Sequence, residues 1–350
     1  MELPQNDTRP KMNDKVTSMD VARRAGVSQS AVSRVFTPGA SASKSTADKV
    51  RLAAQELGYR PNPLARAMIT GKSRIIGLVV SYLDNQFYPI AIERLSHALQ
   101  ARGYHILIFM VPQTAENIDD ILREMMDYRV DGIITASVAM TSDLTARCAA
   151  QGIPVVMFNR RQDGSGHSSV TSANVEGGRK VAQFLLAGGH QRIATIAGWE
   201  GSSTGRDRLH GFSEGLAAAD TTLLAAIDGM YDRDTAAQAT RQLMARNDPP
   251  DAIFVGNDHM AFAVLDTLRH ELGLNVPGDV SIVGYDDVPL AAWPAYDLTT
   301  VRQPVNRMIE ATVGTILAQI DDPLRPAQKT EIDGPLILRG SARIPTGWPT

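Results

Sequence analysis

The sequence predicts two fold classes in one chain of 350 residues: a small all-α head built on a helix-turn-helix, and a larger α/β body of two parallel-sheet lobes. Three observations carry this expectation. Thr17 to Phe36 reads as two short helices broken at Gly26. From Ile75 onward, short apolar runs alternate with helix-length segments in two successive series, the pattern of parallel strands with right-handed crossovers. Charge divides with the pattern: residues 16–74 carry ten Lys/Arg against three Asp/Glu, a balance of +7, and the remainder after a neutral start balances at −10, giving the net −3.

In the head, Thr17 is placed to cap the first helix, with Asp20 completing a capping-box-like pair. Met19, Val21, Ala22 and Ala25 supply its inward face, and Gly26-Val27 breaks it. Ser28 caps a second helix in which Ala31, Val32 and Val35 turn inward, leaving Gln29, Ser30, Ser33 and Arg34 outward. A loop, TPGASASKS, leads to a third helix over Thr46 to Leu57 with Val50, Leu52, Ala53, Ala54 and Leu57 as its apolar positions. Gly58 ends it, and Tyr59 packs beneath. Short polar side chains and one Arg on an exposed helix suit base edges and phosphates in a DNA major groove. A plain helical hairpin with a solvated outer face is the alternative, and the basic head on an acidic body argues against it.

Residues 61–74 read as a hinge. Pro61 disfavours helix at Arg60, Asn62 can cap a new one with Pro63 at its first position, and Thr70-Gly71 stops it. Such a helix has under two turns and is marginal alone. Arg66, Lys72 and Arg74 can meet phosphates, and Leu64 and Met68 share one apolar stripe. A helix forming only when two copies pair over DNA fits these features better than a plain linker. Residues 1–15 are expected to be a disordered tail, and 341–350 a C-terminal tail.

In the body, strands are expected at Ile75–Val80, His105–Phe109, Gly132–Thr135 and Val155–Phe158, then at Ile193–Ala197, Ala226–Gly229, Ile253–Val255 and Ser281–Tyr285, with helices between. A helix at Val305–Ile320 and strands at Lys329–Asp333 and Leu336–Arg339 complete it. Two similar lobes imply a ligand cleft at the carboxyl ends of their strands. The expected partition is a first lobe of 75–159 with 304–340, and a second of 160–303.

Several classes are excluded. The lone Cys148 gives no intramolecular disulfide framework and fits a reducing cytoplasm. No stretch approaches the roughly 18 apolar residues of a membrane span, and the polar start lacks a signal-peptide core. Gly71-Lys72-Ser73 is not a P-loop, because Arg66 stands where that motif needs Gly. No dinucleotide fingerprint, HExxH or metal-ligand spacing occurs, so no enzyme, cofactor or metal is expected. Asp286-Asp287 is a carboxylate pair, but adjacent side chains at a strand end diverge.

The ordered set Asp20-Val21-Ala22, Ala25-Gly26-Val27-Ser28, Val32-Ser33-Arg34-Val35, Leu57-Gly58-Tyr59, Pro61-Asn62 and Leu64-Ala65-Arg66 resembles the LacI/GalR family of bacterial transcription factors. So do Val130-Asp131-Gly132-Ile133-Ile134, Gly188-Gly189-His190, Arg208-Leu209-His210-Gly211-Phe212, Asn257-Asp258 and Val283-Gly284-Tyr285-Asp286-Asp287. The resemblance spans about residues 16–340. It implies a DNA-binding head, a hinge helix and a body like periplasmic sugar-binding proteins, with operator affinity set allosterically by an effector. A solute-binding protein of a transport system is the rival, and the basic head disfavours it.

Carried over by position, the resemblance implies that Gln29, Ser30 and Arg34 approach base edges, while Thr17 and Ser33 touch phosphates. Ala31 replaces a common Thr. Asn62 and Arg66 belong to the hinge, where Met68 takes the place of the Leu wedged into the minor groove. Phe87, Tyr88, Asn159, Arg208, Tyr231, Asn257 and Asp286 fall at effector-contacting positions, Asn159 replacing a common Asp. Aromatic walls with converging polar groups suit a sugar or sugar derivative. Asp286 and Asn257 also suit strand-end turns, and Tyr231 the core, readings that rank below the effector contact. Arg160, Arg161 and Arg206 suit an anionic effector such as a sugar acid or phosphate, or stand as ordinary surface arginines. A pseudo-palindromic double-stranded operator implies a homodimer, and no heptad-bearing tail points to a tetramer.

Overall fold

The computed structural model describes residues 16–37, 40–60, 71–111, 118–137, 147–164 and 166–349. Its contacts divide the chain into two units, Met1–Ser73 and Arg74–Thr350. The tail at 1–15 and the hinge residues Asn62, Arg66 and Met68 lie outside the described residues.

The head is three helices, α1 (Ser18–Ala25), α2 (Gln29–Phe36) and α3 (Lys44–Leu57). Each starts on a hydroxyl cap. Thr17 and Asp20 form the reciprocal capping box, Ser28 accepts from the Ala31 amide and Ser43 from the Thr46 amide. Gly26 ends α1 at φ 66°, the left-handed conformation that a sharp turn needs and glycine adopts without strain. The core is small: Val21, Ala22, Val32, Val50, Ala53 and Ala54, with Phe36 and Tyr59 packed at its edge. Met19 and Leu52, expected inside, are 57% and 59% exposed. Both sit off the stripe that the small Ala residues bring close to neighbouring helices, so neither reaches the core.

The body holds two six-stranded sheets. The first contains β1 (Ile75–Val80), β2 (His105–Met110), β3 (Gly132–Ala136), β4 (Val155–Phe158), β5 (Ser168–Ser172) and β11 (Lys329–Ile332), all parallel, in the order β11-β5-β4-β3-β1-β2. The second contains β6 (Ile193–Ala197), β7 (Ala225–Asp228), β8 (Ala252–Val255), β9 (Ser281–Asp286), β10 (Thr299–Arg302) and β12 (Leu336–Ile337), in the order β12-β10-β9-β8-β6-β7. Only β12 runs antiparallel, at the edge. The two sheets repeat one strand order over their five parallel strands, as the doubled β/α series in the sequence requires, and differ in the direction of the sixth.

The lobe boundaries differ from those expected. Strand β5 pairs with β4 and β11 in the first sheet, not the second, and β12 pairs with β10 in the second, not the first. The chain therefore passes between lobes three times, after β5, after β10 and between β11 and β12. Both β5 (SSVTS) and β10 (TTVR) escaped a reading based on apolar runs. Their hydroxyls are buried yet bonded: Ser168 Oγ accepts from Gln319 and the Gln328 amide, and Thr300 Oγ1 donates to Asp258 at 2.6 Å. Nor are residues 341–349 a tail. Ser341 is buried and donates to the Ile282 carbonyl at 2.7 Å, while Trp348 packs edge-on against Phe184.

The longer helices among the described residues of the body are α4 (Phe87–Gln100), α5 (Ile118–Asp127), α6 (Asn174–Ala187), α7 (Ser203–Ala217), α8 (Arg233–Met244), α9 (Asp258–Asp266) and α10 (Val305–Asp321). Helices α6 and α7 approach unusually closely. A Cβ on Gly178 would stand 2.2 Å from the Arg208 carbonyl oxygen, and one on Gly211 would stand 1.8 Å from that of Val175. These glycines let the two backbones touch and so fix where Arg208 points. Among the described residues, no helix is long and apolar enough to cross a membrane.

Candidate functional site

On the head, α2 presents Gln29, Ser30, Ser33 and Arg34, all exposed, while Val32 anchors the helix at 1% exposure. Gln29 Nε2 donates to Ser18 Oγ at 3.0 Å, tying the start of α2 to α1. Arg34 Nε donates to the Ser30 carbonyl at 3.4 Å, which aligns its guanidinium along the same face. Thr17, at the start of α1, is also exposed, its hydroxyl bonded to Asp20 at 2.7 Å. That hydrogen bond holds the Asp20 carboxyl below its ordinary range. The face offers hydroxyl, amide and guanidinium groups without an acid, which is the chemistry that phosphates and base edges accept.

The second site lies between the lobes. In each sheet the strand order reverses beside its first strand, at β1/β3 and at β6/β8, and crevices at the carboxyl ends of such switch points receive ligands. The backbone there is strained. Ser137 after β3, Asn159 after β4, Tyr231 after β7 and Asp287 after β9 have φ of 69°, 68°, 57° and 57°. Non-glycine residues in this region cluster where function holds them. Gly198, after β6, lies under the Tyr231 ring, where a Cβ would come within 2.1 Å of it.

Arg208 is the centre of the second lobe's share. From α7 its Nε donates to Asn174 Oδ1 at 2.9 Å and its Nη1 to the Gly256 carbonyl at 2.7 Å. The guanidinium lies 3.6 Å above the Tyr285 ring and its Nη2 is 3.5 Å from Asp286 Oδ1. Asp286 also accepts from Gln303 Nε2 at 2.7 Å and, across the cleft, from Asn85 Nδ2 at 3.3 Å. Burial pushes the Asp286 carboxyl up, with Arg208, Gln303 and Asn85 opposing. Behind it, Asp258 is pushed up to about 7 by burial and by the charge of Asp286.

The first lobe contributes Tyr88 and Asn159, whose Nδ2 donates to the Tyr88 hydroxyl at 3.1 Å. Phe87 stacks on Phe158 within the core and supports Tyr88 edge-on, so it stands behind the cleft wall. Tyr231 spans toward the centre and shares a hydrogen bond with Thr204 at 2.9 Å. Asn257 caps α9 through Oδ1, accepting from the Met260 amide at 2.9 Å, and its Nδ2 has no partner among the described residues. The turn and cleft readings of Asn257 are thus compatible.

Arg160 is not at the surface. It is 6% exposed, donates from Nη1 to the Ser137 carbonyl at 2.8 Å, and lies 5.8 Å and 5.6 Å from the Trp199 and Tyr231 ring centroids. Arg161 pairs with Asp163 and Asp207, and Arg206 with Asp163, so their charges are met within the chain. An adjoining cavity of about 170 Å³ shares Asn85 with the cleft and is also lined by Arg233 and His259. It is smaller than the roughly 300–1,000 Å³ of ligand pockets.

The model of bacterial regulatory proteins, lacI family, matches residues 17–62, and that of the periplasmic binding protein-like domain matches residues 182–342. The ribose operon repressor of Escherichia coli (strain K12) is 30% identical over 331 residues, 93% of this chain and 99% of that one. The chain belongs to the LacI family. The repressor PurR of Photobacterium profundum is 29% identical over 330 residues, covering 93% and 98% of the two chains. Among solved structures, the Lac repressor dimer bound to operator and the anti-inducer ONPF superposes with a TM-score of 0.84 at 27% identity, covering 94% and 99%. The regulator CelR in complex with cellobiose gives 0.70 at 30% identity, covering 93% and 99%. This LacI-family chain is a DNA-binding transcriptional repressor controlled by a small-molecule effector, neither a transport solute-binding protein nor an enzyme.

Sequence reasoning missed Tyr82, Asn85, Ser137, Trp199, Thr204 and Gln303. Each follows a strand or opens the next element, so the carboxyl-end rule applied to all strands finds Tyr82, Ser137, Trp199 and Gln303. Asn85, in the loop before α4, and Thr204, in the first turn of α7, do not sit at strand ends, so that rule does not reach them.

Proposed function

We propose that this LacI-family repressor binds a pseudo-palindromic operator as a homodimer in the cytoplasm, and that a sugar or sugar derivative held between its lobes sets its affinity. The observation that carries the effector reading is a convergence of buried polar atoms without partners among the described residues: Ser137 Oγ, Asn159 Oδ1, Arg160 Nε, Asn257 Nδ2 and Gln303 Oε1. Leaving one such atom unsatisfied costs about 1–3 kcal/mol, so a ligand with matched hydroxyls has much to gain there. Tyr88, Asn159, Arg208, Tyr231, Asn257 and Asp286 form the contact set, with Phe87 as backing.

On DNA, Gln29, Ser30 and Arg34 read base edges, Thr17 and Ser33 hold phosphates, and Asn62, Arg66 and Met68 act at the operator centre. The named relatives favour this: one was solved on operator as a dimer, one is named as repressor of a ribose operon, and one was solved with cellobiose. An effector that prefers one lobe arrangement by about 1–3 kcal/mol changes operator affinity roughly 5–150-fold. The test is selection of duplexes from a random pool by the full-length protein, then anisotropy titration of the winner with and without neutral and anionic sugars. A two-fold consensus whose affinity shifts with one compound is expected. Enrichment of no consensus would overturn the operator reading.

A further inference from the structure

We propose that the effector is an anionic sugar derivative whose carboxylate or phosphate oxygens sit on the Arg160 guanidinium. The inference rests on the effector cleft described above and names the class of compound that fits it. Buried cations in proteins are almost always paired. Arg208 obeys this rule through Asp286. Among the described residues Arg160 does not: its hydrogen bond there goes to a neutral carbonyl, its Nε has no partner there, and its surroundings are the aromatic residues Tyr82, Tyr88, Trp199 and Tyr231.

The other acids nearby are already committed. Asp287 is held by Arg302 and Arg339, Asp163 and Asp207 by Arg161. At position 159, next in the chain, stands an uncharged Asn. Among the described residues the cleft wall therefore carries two guanidiniums, Arg160 and Arg208, against the carboxylate of Asp286, while Asp258 behind it is taken up by Thr300 Oγ1 and the Val288 amide and is pushed up to about 7 by burial. An oxyanion supplies the missing charge, and a guanidinium takes its oxygens in a planar two-point contact. Asn159 Oδ1, Asn257 Nδ2 and Gln303 Oε1 remain for hydroxyls. The Tyr231 and Trp199 rings, already flanking Arg160, present apolar faces to the ligand's C–H groups. A neutral sugar fills the hydroxyl positions and leaves the buried cation bare.

The experiment is operator release by the full-length protein with gluconate, glucuronate, a hexose monophosphate and a pentose monophosphate, each beside its neutral parent. An acid or phosphate acting at a concentration at least about tenfold below its parent is expected, and which of the two acts separates carboxylate from phosphate. Arg160→Met should weaken that response about a hundredfold and erase the gap, as loss of one partner of a buried charged contact does. Arg160→Lys should restore part of it, and Arg206→Gln should change nothing. Asn159→Asp, which supplies a charge within the chain, should lower the preference for the anion even if Arg160→Met fails to fold. A response to neutral parents alone, no response to any acid or phosphate, or a gap that survives Arg160→Met would overturn the inference. Absence of operator-specific binding before any compound is added would instead overturn the operator reading of the head.

Discussion

Replacing Arg208 with Ala probes the cleft most directly. The substitution removes the donors to Asn174 Oδ1 and the Gly256 carbonyl, empties the space above Tyr285 and leaves Asp286 with only Gln303 and Asn85. Breaking a buried pair from one side costs about 3–5 kcal/mol. At about 2–4 °C per kcal/mol for a domain of this order, the Tm of the body should fall roughly 6–20 °C. The deficit should also depend on pH. Burial already raises the Asp286 carboxyl and Arg208 is the first force opposing it, so its loss moves the carboxyl further up. The folded variant then holds a proton that the unfolded chain has released, and stability falls as pH rises from the ordinary Asp range through the raised value. Differential scanning calorimetry at about pH 5 and about pH 8 reads both effects. A loss below about 2 °C, or one equal at the two pH values, would refute the electrostatic account of this residue. Effector response should be lost as well.

Other substitutions test separate links. Thr17→Ala removes the capping box and should destabilise the head by about 1 kcal/mol in thermal unfolding. Because Thr17 holds the Asp20 carboxyl low, the box stabilises above the ordinary Asp range and fades as pH falls from that range through the lowered value. Gly178→Ala drives a Cβ against the Arg208 carbonyl and the Phe212 amide, and should cost about 1–3 kcal/mol or more in urea unfolding. Gly314→Ala, in the middle of α10 with open space around it, should instead stabilise by about 0.5–1 kcal/mol. Arg34→Ala should weaken binding to the selected operator by about 1–3 kcal/mol and relax the preference at one base pair, as anisotropy with substituted duplexes would report.

Much of the fold was legible because its signals are local. Gly26, Ser28 and the Val21-Ala22-Ala25 stripe mark two helices and the turn between them. Runs such as IIGLVV mark strands buried on both faces. The site was legible in part, through positions whose residue types recur at strand ends. What remained hidden depends on partners distant in sequence. Ser168, Thr299 and Thr300 look like loop residues until Gln319, Arg339 and Asp258 supply their hydrogen bonds. Ser341 and Trp348 look like a tail until Ile282 and Phe184 receive them.

Arg160 shows the division most clearly. The sequence determined that a cation follows the fourth strand, and that a neutral Asn precedes it. Whether that cation meets water, an acid or aromatic rings is decided only when β4, the Trp199 turn and the Tyr231 turn are folded together. Charge in a chain is counted residue by residue, but its cost depends on the surroundings, and those are a property of the tertiary structure.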